Sequence, residues 1–491
     1  MTVPALEMGS RDYAQATVKR LYTRLMARSP EVHRRDDYYR GEQRLEFVSD
    51  RFRDFQSERN LSQFSDNWCR VIADSPAERL EVMGFRLDDD RALSSAEQFL
   101  WDSWRRNDMD VQSSQGFLES GIASTSYVLV WGDPDTDEPT LTWEHPSQVI
   151  VDYDTERPRL RRAALKVWRD EKHEYATLYL PFEVWKYKRV INEWNQDATW
   201  EPRPVDGEPW PLPNPLGEVP IVEFPNRPLL GRPPLSEIQG AMALQDAINL
   251  LWAYLFTAAD FASLPARVVM GAERPEMPVL DDQGQVVGKK FVELGTLEQG
   301  RMLWLTGQNA SIGQWNAADL KVFTDVVEVA VGHLAAQTRT PQHYLIGKMA
   351  NLSAESLRAA EAGLAKKVTE MQTFFSPAVR DVFRLMALTQ DDQALADACR
   401  GGRVLWRDSE TRSEAQLVDA LLKLQTIGFP FAWLAEKYGL SDAEIARLEE
   451  QRTDSLDRLM LGDFAAATGP KPDSRDDSSS ASNDDSDNDG V

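Results

Sequence analysis

The sequence predicts an α+β fold, in which helices and strands occupy separate parts of the chain. Between residues 125 and 225, short β-branched and aromatic segments alternate with turn residues, which is the pattern of an antiparallel meander. Two amphipathic helix patterns, at 236–262 and 318–337, flank a second strand-rich segment at 263–317. A longer helix pattern begins near residue 353. This segregation of helices from strands is typical of an α+β protein.

The N-terminal part of the chain, residues 11–120, is predicted to be mainly helical. Within it, the stretch Ser94-Ser95-Ala96-Glu97 matches a capping box, in which the first and last side chains satisfy backbone N–H groups at a helix start. The strand segments follow, among them SYVLVW, QVIVDY and EVWKYK. The stretch 202–234 is rich in proline and glycine, so we predict an extended connector there.

The two helices around the second strand-rich segment have apolar residues at alternating steps of three and four. Ser236 and Gln239 match a second capping box, which predicts that the first helix begins at residue 236. The first helix is also apolar on its other faces, so we expect it to be packed on several sides. The regularly spaced positions are Ala241, Leu244, Ile248, Leu251 and Leu255 in the first helix and Leu320, Phe323, Val327, Ala330 and Leu334 in the second.

A polar stretch, TRTPQHYLIGKMANLSAESLRAAEAG at 338–363, interrupts the helical pattern. The residues alone leave open a plain surface loop or a loop positioned to touch something. Ser353 is the predicted N-cap of the next helix, and Pro377 predicts a kink in it. One face of that helix carries Leu357, Ala360, Leu364, Val368, Met371 and Phe375. A smaller helical module is predicted at 413–460, and the Asp/Ser-rich end is predicted to be disordered.

The charge balance is strongly acidic. The net charge is −24, of which the seven Asp and one Arg between Asp473 and Val491 contribute −6, so the rest of the chain carries −18. A protein that grips phosphates tightly through counterion release is normally basic. The sequence therefore argues against tight binding of nucleic acid. The length of 491 residues is enough for about three domains.

The cysteine content and the hydropathy of the sequence predict the cellular compartment of the protein. Cys69 and Cys399 lie far apart in the sequence, which argues against a disulfide framework and fits a reducing compartment. We expect Cys69 to be a small buried apolar residue rather than a nucleophile. The N-terminus lacks a basic start followed by an apolar run, so no secretion signal is predicted. The most apolar stretch, 250–262, is too short to span a bilayer.

The usual signatures of an enzyme are missing from the sequence. The segment Gly284–Lys290 lacks the spacing and the Ser/Thr of a phosphate-binding loop, and no G-x-S-x-G elbow occurs. The five histidines show no metal-ligand spacing, so we expect no metal and no cofactor. The 15 tryptophans could line a sugar groove beside paired carboxylates, but most of them lie at core spacing. The predicted protein is not an enzyme.

Several stretches, read in order, resemble the portal proteins of tailed bacteriophages, in particular the siphovirus type found in phages of actinobacteria. They are YYRGEQRLEFVSDRFR (38–53), DNWCRVIADSPAERLEVMGFR (66–86), LGEVPIVEFPNRP (216–228), LSEIQGAMALQDAINLLWAYLFTAADFASLPARVVMG (235–271) and SEAQLVDALLKLQTIGFPFAWLAEKYGLSDAEIARLEE (413–450). The resemblance covers roughly residues 35–460. No single motif decides it; the order and spacing do.

The resemblance implies a portal fold with four parts. Residues 1–235 and 353–399 would form a mixed α/β wing, the second part being a long kinked helix. Helices 236–262 and 318–337 would form the stem, and 263–317 a small clip containing β-strands. A tunnel loop at 338–352, a helical crown at 400–462 and an acidic tail at 463–491 complete the assignment.

The resemblance also implies partners and a place in the virion. The family forms a ring, usually a dodecamer, at one capsid vertex, through which double-stranded DNA is packaged and ejected without sequence specificity. Its further partners would be the terminase large subunit, a head–tail adaptor, and the major capsid and scaffold proteins, with no membrane. Assembly is expected in the host cytoplasm.

By the same resemblance, some residues become candidates for direct contacts. The tunnel loop would present Lys348, Met349, Ala350 and Asn351 to DNA. In the clip, Lys289, Lys290 and Arg301 could face the channel or bind a partner, and the two lysines could also simply decorate a hairpin. The stem helices would pack through Leu244, Ile248, Leu251, Leu255, Phe323 and Val327.

Two alternatives remain open at this point. The net acidity could let DNA slide through a channel without a deep binding well, or it could only keep a large assembly in solution. The chain could also be a capsid or minor head protein that oligomerises without conducting DNA. A glycoside hydrolase is the third hypothesis. The two apolar helices around a strand-rich insertion favour the channel, since a monomeric enzyme would have to cover those faces itself.

Overall fold

The computed structural model describes most of the chain in two compact units, which divide after Glu414. The predicted α+β class is confirmed, because helices and antiparallel strands fill separate segments. The described residues are 9–44, 66–87, 94–133, 136, 138–191, 199–263, 267–270, 276–280, 283–291, 302–305, 311–314, 319–346, 354–409, 414–440, 444–445 and 447–453.

The chain begins with helices that pack around a short strand. These elements are α1 (Arg11–Arg40), α2 (Trp68–Ala77), β1 (Val82–Arg86), α3 (Ser95–Arg106) and α4 (Met109–Ala123). The capping box predicted at Ser94 is confirmed: its side chain accepts a hydrogen bond from the Glu97 N–H, and the Glu97 carboxylate accepts one from the Ser94 N–H. At the other end of this region, α1 stops at Gly41, whose φ of 75° suits glycine.

The predicted antiparallel meander is confirmed, but it is divided between two sheets. Three strands pair in the order β10-β2-β3, and six lie in a second sheet, where β4-β5-β6-β7-β8 are neighbours and β9 also pairs with β7. The strands are β2 (Thr125–Gly132), β3 (Pro139–Glu144), β4 (Val149–Tyr153), β5 (Arg161–Arg169), β6 (His173–Tyr179), β7 (Glu183–Val190), β8 (Glu201–Pro202), β9 (Leu212–Pro213) and β10 (Ile221–Pro225).

Helix α1 covers one face of the second sheet. Ala14, Val18, Leu21 and Leu25 are each fully buried, and their spacing of four, three and four places them on one side of the helix. They pack in one core cluster with inward side chains of β5, β6 and β7, including Leu178. This packing follows from the helical period of α1 meeting the alternating period of the strands.

The next part of the chain contains two longer helices around a set of short strands. These are α5 (Met242–Ser263), β11 (Arg267–Met270), β12 (Glu276–Leu280), β13 (Val286–Phe291), β14 (Met302–Leu305), β15 (Ser311–Gln314) and α6 (Lys321–Thr338). Strand β11 lies between β14 and β15, while β12 and β13 form an antiparallel hairpin.

The start predicted for the first of these helices was wrong. Helix α5 begins at Met242, not at Ser236. The Ser236 hydroxyl accepts a hydrogen bond from the Ile238 N–H, two residues on, and the Glu237 N–H donates to the Gly121 carbonyl 2.8 Å away. These contacts hold residues 236–241 as a turn against α4, so a local capping signal was overridden by tertiary contacts.

After α6 the chain forms α7 (Gln342–Ile346), α8 (Ala354–Thr389), α9 (Gln393–Cys399) and β16 (Arg403–Trp406). Helix α8 has 36 residues and is about 54 Å long at about 1.5 Å per residue. It runs through Pro377 as one helix. The predicted face at Leu364, Val368, Met371 and Phe375 is buried in the largest core cluster, whereas Ala360 is exposed. The predicted N-cap, Ser353, lies outside the described residues.

Strand β16 returns to the start of the fold and pairs with β1, with Phe85 opposite Val404. The first unit therefore includes residues 400–409, which by resemblance would belong to the crown. The second unit contains α10 (Glu414–Thr426), most of which lies beyond the division, and α11 (Phe431–Tyr438). The acidic tail lies outside the described residues. Both cysteines are buried and unpaired, as expected for Cys69.

Candidate functional site

The interruption noted in the sequence is a defined turn at the end of α6. Arg339 has a φ of 55° in the left-handed region, which ends the helix, and Pro341 cannot continue it. The Thr338 hydroxyl donates to the Leu334 carbonyl at 2.8 Å, and the Thr340 N–H donates to the Ala335 carbonyl at 3.1 Å. These bonds satisfy carbonyl groups that a helix end otherwise leaves without partners.

A buried lysine of α8 holds this turn in place. The ammonium group of Lys367 donates to the Thr338 carbonyl at 3.1 Å and lies 2.6 Å from the carboxylate of Glu237. Both charged side chains are enclosed, with exposures of 0% and 1%. A buried charge is tolerated only when it is paired and hydrogen-bonded, and here both conditions are met.

The carboxylate of Glu237 joins further elements to the same point. Its Oε1 accepts a hydrogen bond from the Asn226 side-chain amide at 3.0 Å and lies 3.2 Å from Arg227 Nε. Its backbone N–H is bonded to α4, as described above. One ion pair therefore connects the end of β10, the turn before α5, the end of α6 and the middle of α8.

The second side of the turn is held by α2. The Trp68 indole N–H donates to the Leu345 carbonyl at 3.0 Å, and the Trp68 backbone N–H donates to the Gln245 side chain at 2.9 Å. Leu345 belongs to α7 and Gln245 to α5. Trp68 is thus tied to the helix that leaves the turn and to the first long helix.

Two arginines form further contacts around the turn that follows α6. Arg339 NH2 lies 2.9 Å from the carboxylate of Glu370 on α8, and this hydrogen bond lowers the pKa of Glu370. Arg79 NH2 donates to the Tyr344 hydroxyl at 2.9 Å and lies 3.4 Å from Glu361. Residues on both sides of the segment 347–353, on α7 and on α8, are therefore held by side-chain contacts.

The predicted DNA-facing residues, Lys348, Met349, Ala350 and Asn351, lie outside the described residues. The structure describes the residues on either side of them, which end at Ile346 and resume at Ala354. Beside these residues, α6 and α8 leave an open cavity of about 310 Å³ next to the turn. Small side chains line much of it, and its polar lining includes Arg339 and Gln342.

The six predicted packing residues of α5 and α6 do not have one common environment. Ile248 and Val327 are buried in a cluster with α1, α2 and α4 of the same chain. Leu244 and Leu251 are partly buried and pack against that cluster. Leu255 and Phe323 are also half-buried but are not part of it. The regular apolar stripe therefore marks mainly the face that packs within the chain.

A different face of α6 presents apolar side chains to solvent. Val322, Val326 and Val329 are 58%, 46% and 59% exposed, and steps of four and three place them on one side of the helix. Asp325, also exposed, lies among them. The spacing of these valines is visible in the sequence, but the apolar stripe beside them is more regular and predicts packing on a different face.

The hairpin of β12 and β13 is exposed on both sides. Lys289 Nζ forms an ion pair with Glu276 at 3.2 Å, and Lys290 lies opposite Met277 in the ladder. Arg301 lies outside the described residues. The apolar residues Met277, Val279, Leu280, Val286 and Val287 are between 44% and 68% exposed. An isolated two-stranded hairpin is only marginally stable in water, so these side chains need another surface to cover them.

The buried pair of Glu237 and Lys367 was missed from the sequence. The two residues lie 130 positions apart (367 less 237), and each occurs in a stretch that otherwise looks like a solvated helix surface. Glu237 was placed inside a capping box, which gave its charge a local role. No spacing rule within one helix could have paired it with Lys367.

Comparison with known proteins decides the family. The family model described as phage portal protein, SPP1 Gp6-like, matches residues 18–456. The chain belongs to the phage portal protein family. The predicted resemblance is therefore confirmed, and this portal protein is a structural protein.

Two relatives support the siphovirus-type assignment. The portal protein of Mycobacterium phage L5 is 28% identical over 372 residues, covering 72% of this chain and 71% of that protein. The portal protein of Mycobacterium phage D29 is 29% identical over 412 residues, covering 80% and 79%. Both come from phages of actinobacteria, as the sequence motifs predicted.

Solved structures of gene transfer agent particles also match. A chain of the virion of the native particle aligns with a TM-score of 0.39 at 12% identity, covering 76% of this chain and 88% of that chain. A chain of the neck of the empty particle, computed with C6 symmetry, aligns with a TM-score of 0.40 at 14% identity and the same coverage. None of the helices in the described part of the chain combines the length and the hydropathy of a membrane span.

Proposed function

We propose that this portal protein forms a ring at one capsid vertex, through which double-stranded DNA is packaged and ejected. The observation that supports the proposal is the double anchoring of the chain that precedes the segment 347–353. Lys367 of α8 holds the Thr338 carbonyl and Trp68 of α2 holds the Leu345 carbonyl, so the chain that enters this segment is held on a rigid frame, and α8 begins directly after the segment. A loop that guides a moving polymer needs such a frame, since it must yield locally without shifting the wall behind it.

In this proposal α5 and α6 are the stem, and neighbouring copies cover the valine face of α6. Val322, Val326 and Val329 have no intrachain cover that hides them, and apolar surface of this kind is favourably buried on association. The β12–β13 hairpin is the clip, which gains cover from neighbouring copies and presents Lys289 and Lys290 to the channel or to a partner. Residues 1–235 and 353–399 are the wing, and the second unit is the core of the crown.

The net negative charge of the chain supports a channel through which DNA slides. Outside its tail the chain carries −18, so the DNA duplex and the ring repel each other on average. The few cationic side chains near the loop, such as Lys348, would contact the phosphates without binding the DNA tightly at any one position. The terminase large subunit, the head–tail adaptor, and the capsid and scaffold proteins are the proposed partners. The virion vertex is the proposed location, after assembly in the host cytoplasm.

The first experiment is negative-stain electron microscopy of the purified protein, with native mass measured on the same sample. We expect rings with an axial hole and a mass near twelve times 55.6 kDa. Assembly in another geometry, without a hole, would favour a capsid or minor head protein that does not conduct DNA. A monomer that forms no ring even with capsid and scaffold proteins present would contradict the proposal.

A further inference from the structure

A short loop of the first unit projects an apolar tip away from the fold. This leucine loop, residues 227–234, connects β10 to the turn before α5, and positions 228–233 are all exposed. At its tip Leu229 is 42% exposed and Leu230 is 103% exposed, so no described part of the chain covers the second leucine. A single exposed apolar side chain is common on protein surfaces. The case for a contact therefore depends on how the leucine loop is built.

The leucine loop is closed at its base and stiff along its length. The side-chain amide of Asn226, which is fully buried, donates to the Leu235 carbonyl at 2.8 Å, and the Leu235 N–H donates to the Asn226 carbonyl at 3.1 Å. At the tip the Arg232 N–H donates to the Leu229 carbonyl at 3.4 Å, and Gly231 takes the left-handed φ of 69° that this turn requires. Three of the eight residues in the loop are prolines, which fix φ. A tip that is already ordered loses little conformational entropy when a partner buries it.

The cavity beside the turn after α6 has the form of a recess for such a tip. It lies between α6 and α8, has a volume of about 310 Å³, and is lined in part by Gly332, Ala336, Ala360 and Gly363. A Cβ atom added at either glycine would lie 3.7 Å or more from the side chains described around it. The recess beside these small residues is therefore open to an apolar side chain from outside.

The base of the leucine loop and the cavity lie close together in one chain. Asn226 donates to the Glu237 carboxylate at 3.0 Å, and that carboxylate lies 2.6 Å from Lys367. Lys367 in turn donates to the Thr338 carbonyl, one residue before Arg339, which lines the cavity. Rotation about a ring axis leaves the height of every atom along that axis unchanged. The loop of one copy and the cavity of the next copy therefore lie at similar heights, whatever the direction of the axis.

We propose that Leu230 of one copy inserts into this cavity of the neighbouring copy in the ring. The exposure of Leu230 shows that it does not fill the cavity of its own chain. The loop and the cavity are different surfaces, and each copy presents both, which is the arrangement of a heterologous contact that closes into a ring. The inference rests on the proposed ring, but it assigns a subunit contact to residues outside α5 and the valine face of α6.

The test is disulfide crosslinking of the full-length protein that carries Leu230→Cys together with Ala336→Cys. Both native cysteines are buried, so they do not compete. A disulfide requires the two Cα atoms to lie within about 7 Å of each other. After rings are oxidised with copper phenanthroline, denaturing electrophoresis without reductant should show a ladder of linked chains that collapses on reduction. The matched control is Val111→Cys with Ala336→Cys, since Val111 is exposed on α4, and it should remain a single chain.

The outcomes separate this inference from the proposed function. Rings that give no ladder, or a link that forms only within one chain, would overturn the inserted leucine and leave the ring in place. A ladder no stronger than that of the control would do the same. If no preparation forms rings, the proposed function is contradicted and this contact falls with it.

A second measurement fills the cavity instead of linking it. Gly363→Leu should fold, because a Cβ atom there would lie 4.0 Å from its nearest described neighbour and leucine favours a helix more than glycine does. We expect both this variant and Leu230→Asp to lower the ring fraction in native mass spectrometry at least fivefold. Leu160→Asp, at another exposed leucine in the loop between β4 and β5, should assemble as the wild type does. An unchanged ring fraction in Gly363→Leu and Leu230→Asp would reject the contact.

Discussion

The ammonium group of Lys367 lies 2.6 Å from the carboxylate of Glu237, and neither side chain reaches solvent. This contact joins α8 to the turn before α5 and, through the Thr338 carbonyl, to the end of α6. Arg79 and Arg339 also join these two flanks, but through side chains that reach solvent. Among these described contacts, the pair of Lys367 and Glu237 is the one that is enclosed.

Replacing Lys367 with Met should destabilise the protein by about 3–5 kcal/mol, because it leaves the Glu237 carboxylate buried without its counter-charge. Chemical denaturation of the purified chain measures the change in the free energy of unfolding. Lys366→Met, at the exposed position next to it, is the control and should change the free energy by less than about 0.5 kcal/mol.

The double variant Lys367→Met with Glu237→Gln should lose less stability than the sum of the two single variants, because no uncompensated charge remains. If the two losses in the free energy of unfolding were strictly additive, Lys367 and Glu237 would not be energetically coupled.

Replacing Val326 with Asp should prevent ring assembly while leaving the monomer folded. The residue is 46% exposed in the single chain, but the proposal places it against a neighbouring copy, where an unpaired carboxylate costs several kcal/mol. Native mass spectrometry should show the ring fraction falling at least tenfold, with an unchanged circular dichroism spectrum.

Val111→Asp is the matched control for this prediction, since Val111 is 61% exposed on α4, outside the proposed stem. Equal assembly of both variants and the wild type would remove the valine face of α6 from the subunit contact.

The stability of the first unit should fall in acid because of a charge network between α8 and the sheets. Burial alone would raise the pKa of Asp381, but the charges of Arg161 and Arg384 outweigh it and hold this pKa below 3.8. Burial is likewise outweighed at Glu218, where Arg384 lowers the pKa below 4.5. A lowered folded-state pKa means stability that is present above the unfolded-state value and is lost as pH falls through the folded-state value.

Denaturation at several pH values should therefore show the loss beginning below about pH 4.5. Asp381→Asn should cost about 2 kcal/mol at pH 7, because it removes a charged hydrogen-bond partner, and should flatten the acid loss. A pH profile identical to that of the wild type would contradict the role given to Asp381. Asp37→Asn, exposed on α1, serves as the comparison.

Replacing Lys348 with Asp should leave ring assembly intact but lower the DNA packaged per particle or the phage yield, because the loop would repel the phosphates it is proposed to guide. Quantifying the DNA in purified particles checks this. The same substitution at Lys172, an exposed residue in the turn before β6, is the control. Normal packaging in Lys348→Asp would exclude this lysine from the mechanism.

Local signals in the sequence predicted much of the fold. The capping box at Ser94, the antiparallel strands and the buried face of α8 were correct, because each depends on residues within a few turns of one another. The start of α5 was wrong for the opposite reason. Glu237 lies within an apparent capping box, but its carboxylate pairs with Lys367, 130 positions later in the chain.

The candidate sites were less predictable than the fold. Ile248 and Val327 were selected by a regular period, and that period marks burial within the chain. The exposed valines of α6 lie on a neighbouring face with the same helical period, so sequence alone could not separate intrachain from intermolecular packing.

The pairing of β1 with β16 has a consequence for biosynthesis. More than 300 residues separate Phe85 from its partner Val404. Strand β1 is therefore synthesised long before β16, the strand with which it pairs. Until then β1 has an open edge, which is a site for unwanted strand pairing. A nascent chain that stops before Arg403 keeps that edge. Incomplete products are therefore chemically distinct from finished ones, and more prone to aggregate, before any ring begins to form.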